Sequence, residues 1–235
     1  MFDVPQFEMS AKDMGDAIAT VADKLFEFEI VTGNGYSVLR EEAGRLKGAR
    51  DSKEWMLQIS RENAVEFEFA LDKNNEIIIP SITCEGLHVV QNDHSRPPFK
   101  ALDIAIEIFD ADRIPVARWH VDWANVVNGK PQAGPLVHLQ YGGHFAGHRA
   151  LDPKVKEPRW VHPPMDLILM CEVTAANFHE EKWEALREDN NWCQAVAIGQ
   201  RFCYSAYLRK ICQGLSVSSK TLLHSMWASE WHENK

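Results

Sequence analysis

The sequence predicts an α+β protein in which an antiparallel β-sheet, over about residues 65–141, is flanked by N-terminal helices and a C-terminal helical bundle. Three observations predict it. Apolar residues recur at helical spacing before about residue 63, alternate with a period of two from about 64 to 141, and return to helical spacing after about 164.

In the first part, Ser10 with Asp13 forms a capping-box start, and Ile18, Val21, Ala22 and Leu25 follow at helical spacing. Gly33-Asn-Gly35 reads as a break. A second helix over about 37–47 stops near Gly48, and a third is expected from Asp51-Ser52, carrying Trp55, Met56 and Ile59. Val65, Phe67 and Phe69 then alternate with Glu66 and Glu68, and Asp72-Lys-Asn-Asn75 turns the chain into Glu76-Ile-Ile-Ile79. Gly86–Val90 is expected to add another strand, and Asp93–Pro98 a loop. Ile104, Ile106 and Ile108 mark a further strand, which Asp110–Arg113 turns into the one carrying Arg118 and His120. The stretch from Gly142-Gly143 to Pro158 has no strong period and reads as a functional loop or lid. Pro163-Pro164 opens a helix to about 178, followed by helices over about 179–188, 190–213 and 219–232, the last capped by Ser218 or Ser219.

The 235 residues, 45% of them hydrophobic and eight of them Trp, suit one domain over 1–235. Its parts are helices at 1–63, the sheet at 64–141, the loop at 142–163 and a helical part at 164–235. No stretch approaches the roughly 18–20 consecutive apolar residues of a membrane span. The segment Met1–Glu8 has neither a basic head nor an apolar signal core, so a cytoplasmic protein with no membrane partner is expected. Five cysteines with no C-x-x-C pair fit reduced thiols.

A net charge of −9 argues against a nonspecific nucleic-acid coat, which depends on clustered Lys and Arg. Locally the balance differs. From Arg118 to Arg159 six basic residues face three acidic ones, and residues 118–162 hold five of the ten histidines. Such a region suits a small anion or a short nucleic-acid segment.

The most informative pattern lies in Arg118–Trp123 and Leu136–Tyr141. Arg118, His120 and Asp122 alternate with Ala117, Trp119, Val121 and Trp123, while His138 and Gln140 alternate with Val137, Leu139 and Tyr141. Pairing of these strands gathers two histidines, an arginine and a carboxylate on one face. That set suffices for phosphodiester cleavage by general acid–base chemistry: one imidazole takes a proton, the other gives one, and the guanidinium stabilises phosphoryl charge. His120, His138, Asp122 and Arg118 are the catalytic candidates. Gln140, Arg159, His162 and Asp166 are candidate ligand contacts, and the helix opened by Pro163-Pro164 offers a phosphate seat. No cofactor is required by this chemistry.

Two other readings stay open. His120, Asp122 and His138 are ligand types that suit a divalent metal, giving a metal-dependent hydrolase. His120-x-Asp122 with His162 also spells an oxygenase facial triad, but the helical pattern beyond 164 leaves no room for the strands of that fold. Alternatively Arg118, His120 and Asp122 form a satisfied polar network in a non-catalytic module that binds a protein partner. The aromatic C-terminal helices offer a surface for a homo-oligomer, although such stripes are usually core.

The order Arg118-x-His120-x-Asp122, Pro135-x-x-His138-Leu-Gln140-x-Gly-Gly143, Pro158-Arg159 and Pro163-Pro-Met-Asp166 resembles uncharacterised bacterial proteins of toxin–antitoxin and phage-defence loci. The resemblance covers about a quarter of the chain. It implies nucleotide or RNA chemistry in a defence setting and groups Arg159, His162 and Asp166 with the strand residues.

Overall fold

The computed structural model describes residues 7–124, 126, 127, 130–142 and 158–231. Helix α1 (Ala11–Glu27) opens on the expected capping box, with Ser10 Oγ accepting from Asp13 N. Helix α2 (Gly33–Gly48) starts earlier than its periodicity indicates. Gly33-Asn-Gly35 is its first turn, because the Thr32 hydroxyl caps it by accepting from Gly35 N at 3.1 Å.

The expected third helix is a strand, β1 (Glu54–Ile59). Trp55, Leu57 and Ile59 are buried while Glu54, Met56 and Gln58 are exposed. A short apolar run fits either period, and hydrogen bonding to a long neighbouring strand decides for the period of two. That neighbour, β4 (Ile77–Val90), joins the two strands expected near 76–79 and 86–90, with a bulge at Glu85 re-aiming its second half. Its other edge partners are the short β2 (Val65–Glu66) and β3 (Ala70–Leu71). Between them the chain leaves the ladder to bridge the α1–α2 connection, with Glu68 N donating to Ile30 O.

Strands β5 (Phe99–Asp110), β6 (Pro115–Trp123), β7 (Val126–Val127), β8 (Lys130–Pro131), β9 (Val137–Tyr141) and β10 (Trp160–Val161) follow. The main sheet is antiparallel in the order β1-β4-β5-β6-β9-β10, while β7 and β8 form a separate hairpin. Helices α3 (Leu167–Phe178), α4 (Glu180–Leu186), α5 (Asn190–Leu215) and α6 (Leu222–Ser225) complete the chain with a 3-10 turn at Ala228–Trp231. The architecture is α+β with helices at both ends. α6 is far shorter than the 219–232 helix expected, and its cap is Thr221 rather than Ser218 or Ser219. The cause is a tertiary contact: Leu136 N donates to Met226 O, and Trp227 bridges Pro135.

The apolar face carries Trp55, Val89, Phe99, Ile104, Ile106, Val121 and Leu139. There Trp55 and Phe99 both pack on Phe202 of α5, with ring centroids 5.6 Å apart in each pair. Alternation therefore turns Arg118, His120 and Asp122 to the opposite side of the sheet from these helices. Among the described residues, no helix is long and apolar enough to cross a membrane.

Candidate functional site

β6 pairs with β9 in the register that the polar face requires. Asp122 lies opposite His138 and His120 opposite Gln140, while on the other flank Asp103 lies opposite Asp122 and Glu107 opposite Arg118. Directly opposed residues share a face. Three strands thus gather Asp103, Glu107, Arg118, His120, Asp122 and His138 on one surface.

A continuous network joins them. Glu107, wholly buried, accepts at Oε1 from Arg61 Nη2 at 2.9 Å and from Arg118 Nε at 3.2 Å. Arg118 Nη1 lies 2.7 Å from His120 Nδ1 and 3.1 Å from the Gly142 carbonyl oxygen. His120 Nδ1 also lies 3.1 Å from the Gly142 carbonyl oxygen, so it meets both a donor and an acceptor, whereas the Asp122 carboxylate only accepts and calls for a proton on Nε2. That Nε2–H donates to Asp122 Oδ2 at 2.9 Å, and His138 Nε2 lies 3.8 Å from the same oxygen. The order across the sheet is Arg61–Glu107–Arg118–His120–Asp122–His138.

The two ends of this chain differ. Arg118 is 3% exposed and already engaged, and both ring nitrogens of His120 are occupied. Both side chains are thus engaged within the network. At the other end the Asp103 and Asp122 side chains are 39% and 26% exposed. Asp122 Oδ1 is buried without a hydrogen-bond partner, Asp103 Oδ1 lies 3.7 Å from Arg118 Nη2, and the His138 imidazole meets the Pro135 backbone. An unsatisfied buried group costs about 1–3 kcal/mol, and Glu107 Oε2 is another such atom in the same network. Burial and the neighbouring Asp122 charge push the Asp103 carboxyl up to about 6, against the pull of Arg118. Burial pushes the His138 imidazole down to about 4; Asp122 opposes this and Arg159 reinforces it.

The candidate ligand contacts separate. Gln140 keeps its place beside His120. Arg159 precedes β10, where its Nη1 donates to Ala133 O at 3.2 Å and its charge is felt at His138. His162 does not join the face: it lines a cavity with Leu139 and Val121 on the helical side of the sheet. Asp166 also lies elsewhere. Wholly buried, it caps α3 by accepting from Leu169 N at 2.9 Å, which fills the helix end proposed as a phosphate seat and starts the helix at Leu167 rather than at Pro164. Residues 143–157 of the expected lid, including His144 and His148, lie outside the described residues.

Glu107, Arg61 and Asp103 are the site residues that sequence reasoning missed. Asp103 and Glu107 had a signal, since they alternate with Ile104, Ile106 and Ile108 and β5 precedes β6 through a tight turn. Arg61 had none, because its contact spans 46 residues. No group of three or more His, Cys, Asp or Glu among the described residues is arranged to hold a metal ion.

Asp166 supplies a test of the helical side. Burial pushes its carboxyl up to about 6 from an ordinary 3.8, so the ionised form opposes folding above pH 6, and the penalty is relieved as pH falls from about 6 to 4. An Asp166→Asn protein keeps a capping oxygen without the charge. It is expected to be more stable than the parent by about 1–3 kcal/mol at pH 8, with the gap closing by pH 4 in urea titrations; a gap independent of pH counts against a buried carboxylate. No protein-family model, curated protein or solved structure matches this chain, so the site rests on its own geometry.

Proposed function

We propose that the face built by Asp103, Asp122 and His138 binds and cleaves a phosphodiester, in RNA or a nucleotide, by general acid–base chemistry. The observation that carries this reading is the shared face on which Asp103, Asp122 and His138 meet, next to the Glu107–Arg118–His120 network. Arg159 contacts the phosphate at the rim. His138, neutral above about pH 4, takes the proton of the attacking hydroxyl, and protonated Asp103 returns one to the leaving oxygen. Arg118 and His120 hold Asp122 in place through Glu107. The defence or toxin–antitoxin setting implied by the motif resemblance belongs to the same proposal.

With base and acid titrating near 4 and 6, kcat/KM should follow a bell whose limbs fall near those values. Hydrolysis of a model phosphodiester and of an oligoribonucleotide, with and without divalent metal, is the direct measurement. His138→Ala and Asp103→Asn should each lower kcat/KM by about 10²–10⁴, while Arg159→Ala should act mainly on KM. Absence of turnover and of nucleotide or RNA binding by the parent protein overturns the reading.

A non-catalytic, partner-binding module is the second reading, and the burial of Arg118, His120 and His138, each at most 5% exposed, favours it. It expects the same substitutions to lower stability without altering any chemistry.

A further inference from the structure

On the opposite face of the sheet, β5, β6, β9 and α3 line a partly open cavity of about 260 Å³. Ile106, Val121 and Leu139 form one wall, and Met170 and Phe178 the other. Trp119, Met165 and Val173 border it as well, and His162 and Asn177 bring an imidazole and an amide. An engineered apolar cavity of about 150 Å³ holds one benzene, so this space suits two fused rings. An apolar pocket with few polar groups is the usual form of a small-molecule site.

The polar residues set the ligand's chemistry. His162 Nδ1 lies 2.7 Å from the Pro163 carbonyl oxygen, which only accepts, so Nδ1 carries the proton and Nε2 is left as an acceptor. Asn177 Nδ2 donates to Val173 O at 2.7 Å, leaving its own oxygen to accept. Burial also lowers the pKa of His162, which keeps the ring neutral and the Nε2 lone pair available. The apolar walls and the lack of any cation among these lining residues disfavour an anion.

We propose that this cavity is a binding site for a neutral bicyclic aromatic molecule bearing one N–H or O–H group, which donates to His162. The site is independent of the polar face, from which the sheet separates it, so either assignment can fail alone. Calorimetric titration of the full chain with indole, with benzothiophene as an isostere lacking the donor, and with indole-3-carboxylate as an anion tests it. Saturable binding of indole is expected, with benzothiophene about fivefold weaker for the missing hydrogen bond and the carboxylate not binding. Val173→Trp, at a half-exposed position of α3 that lines the cavity, should abolish indole binding in a folded protein. His162→Phe should abolish the preference for indole over benzothiophene. No saturable indole binding by the parent, equal affinity for indole and benzothiophene, or unchanged binding in the Val173→Trp protein overturns the proposal.

Discussion

A Glu107→Ala protein is expected to lose about 3–5 kcal/mol of stability, the usual cost of breaking a buried ion pair by removing one partner. Glu107 is wholly buried and is the shared acceptor for Arg61 and Arg118. Arg61, 30% exposed, can turn to water, whereas Arg118, 3% exposed, is left charged in the sheet. Urea unfolding at pH 7 measures the loss. A second variant separates charge from shape: Glu107→Leu combined with Arg118→Met removes both charges and should lie closer to the parent than Glu107→Ala does. A Glu107→Ala loss below about 1 kcal/mol, the scale of an exposed pair, would mean that the contacts of Arg118 with Asp103 and the Gly142 carbonyl suffice to hold its charge.

Gly35→Ala is expected to cost about 3 kcal/mol, the upper end of the usual range for overpacking. A Cβ at this position would lie 2.6 Å from Val31 Cγ2 and 2.8 Å from Glu66 N, with the Glu66 carbonyl oxygen closer still. Two of these atoms are backbone, so no side-chain rotation relieves the clash. The Glu66 carbonyl also accepts from Thr32 N and from the Thr32 hydroxyl, each at 3.1 Å. Any shift therefore disturbs the cap of α2. Helix propensity alone predicts the opposite sign, since Ala exceeds Gly by about 1 kcal/mol inside a helix. Gly33→Ala, two residues earlier and with open space around its Cβ, is the control and should change stability little. Equal stability of the two variants would contradict the close approach.

Both expectations concern contacts that no local pattern announces, and this divides what was legible in the chain. Capping at Ser10, the turn at Asp72–Asn75 and the alternations around Ile106, His120 and His138 are local, and the structure realises each of them. At Trp55–Ile59 the apolar spacing fitted two periods, and pairing with β4 chose the strand. At the last helix, the bridge from Trp227 to Pro135 outweighed local helical preference. Within the site, the shared face of Arg118, His120, Asp122 and His138 was readable because alternation and strand pairing together specify it. The separation of His162 and Asp166 from that face was not readable, because both lie beyond the strand whose alternation could be followed.

By itself, then, the sequence determined the α+β class, the order of most elements and the composition of the polar face, since these follow from residue periodicity and short-range capping. Only the tertiary structure decided which of those residues are engaged and which are left open. Glu107 accepts from both Arg61 and Arg118, His120 is held at both nitrogens, and the Asp103 and Asp122 side chains keep partial exposure. The physical reason is that periodicity encodes the side of a strand to which a side chain points. Its hydrogen-bond partner is set by residues that the fold brings together from distant parts of the chain.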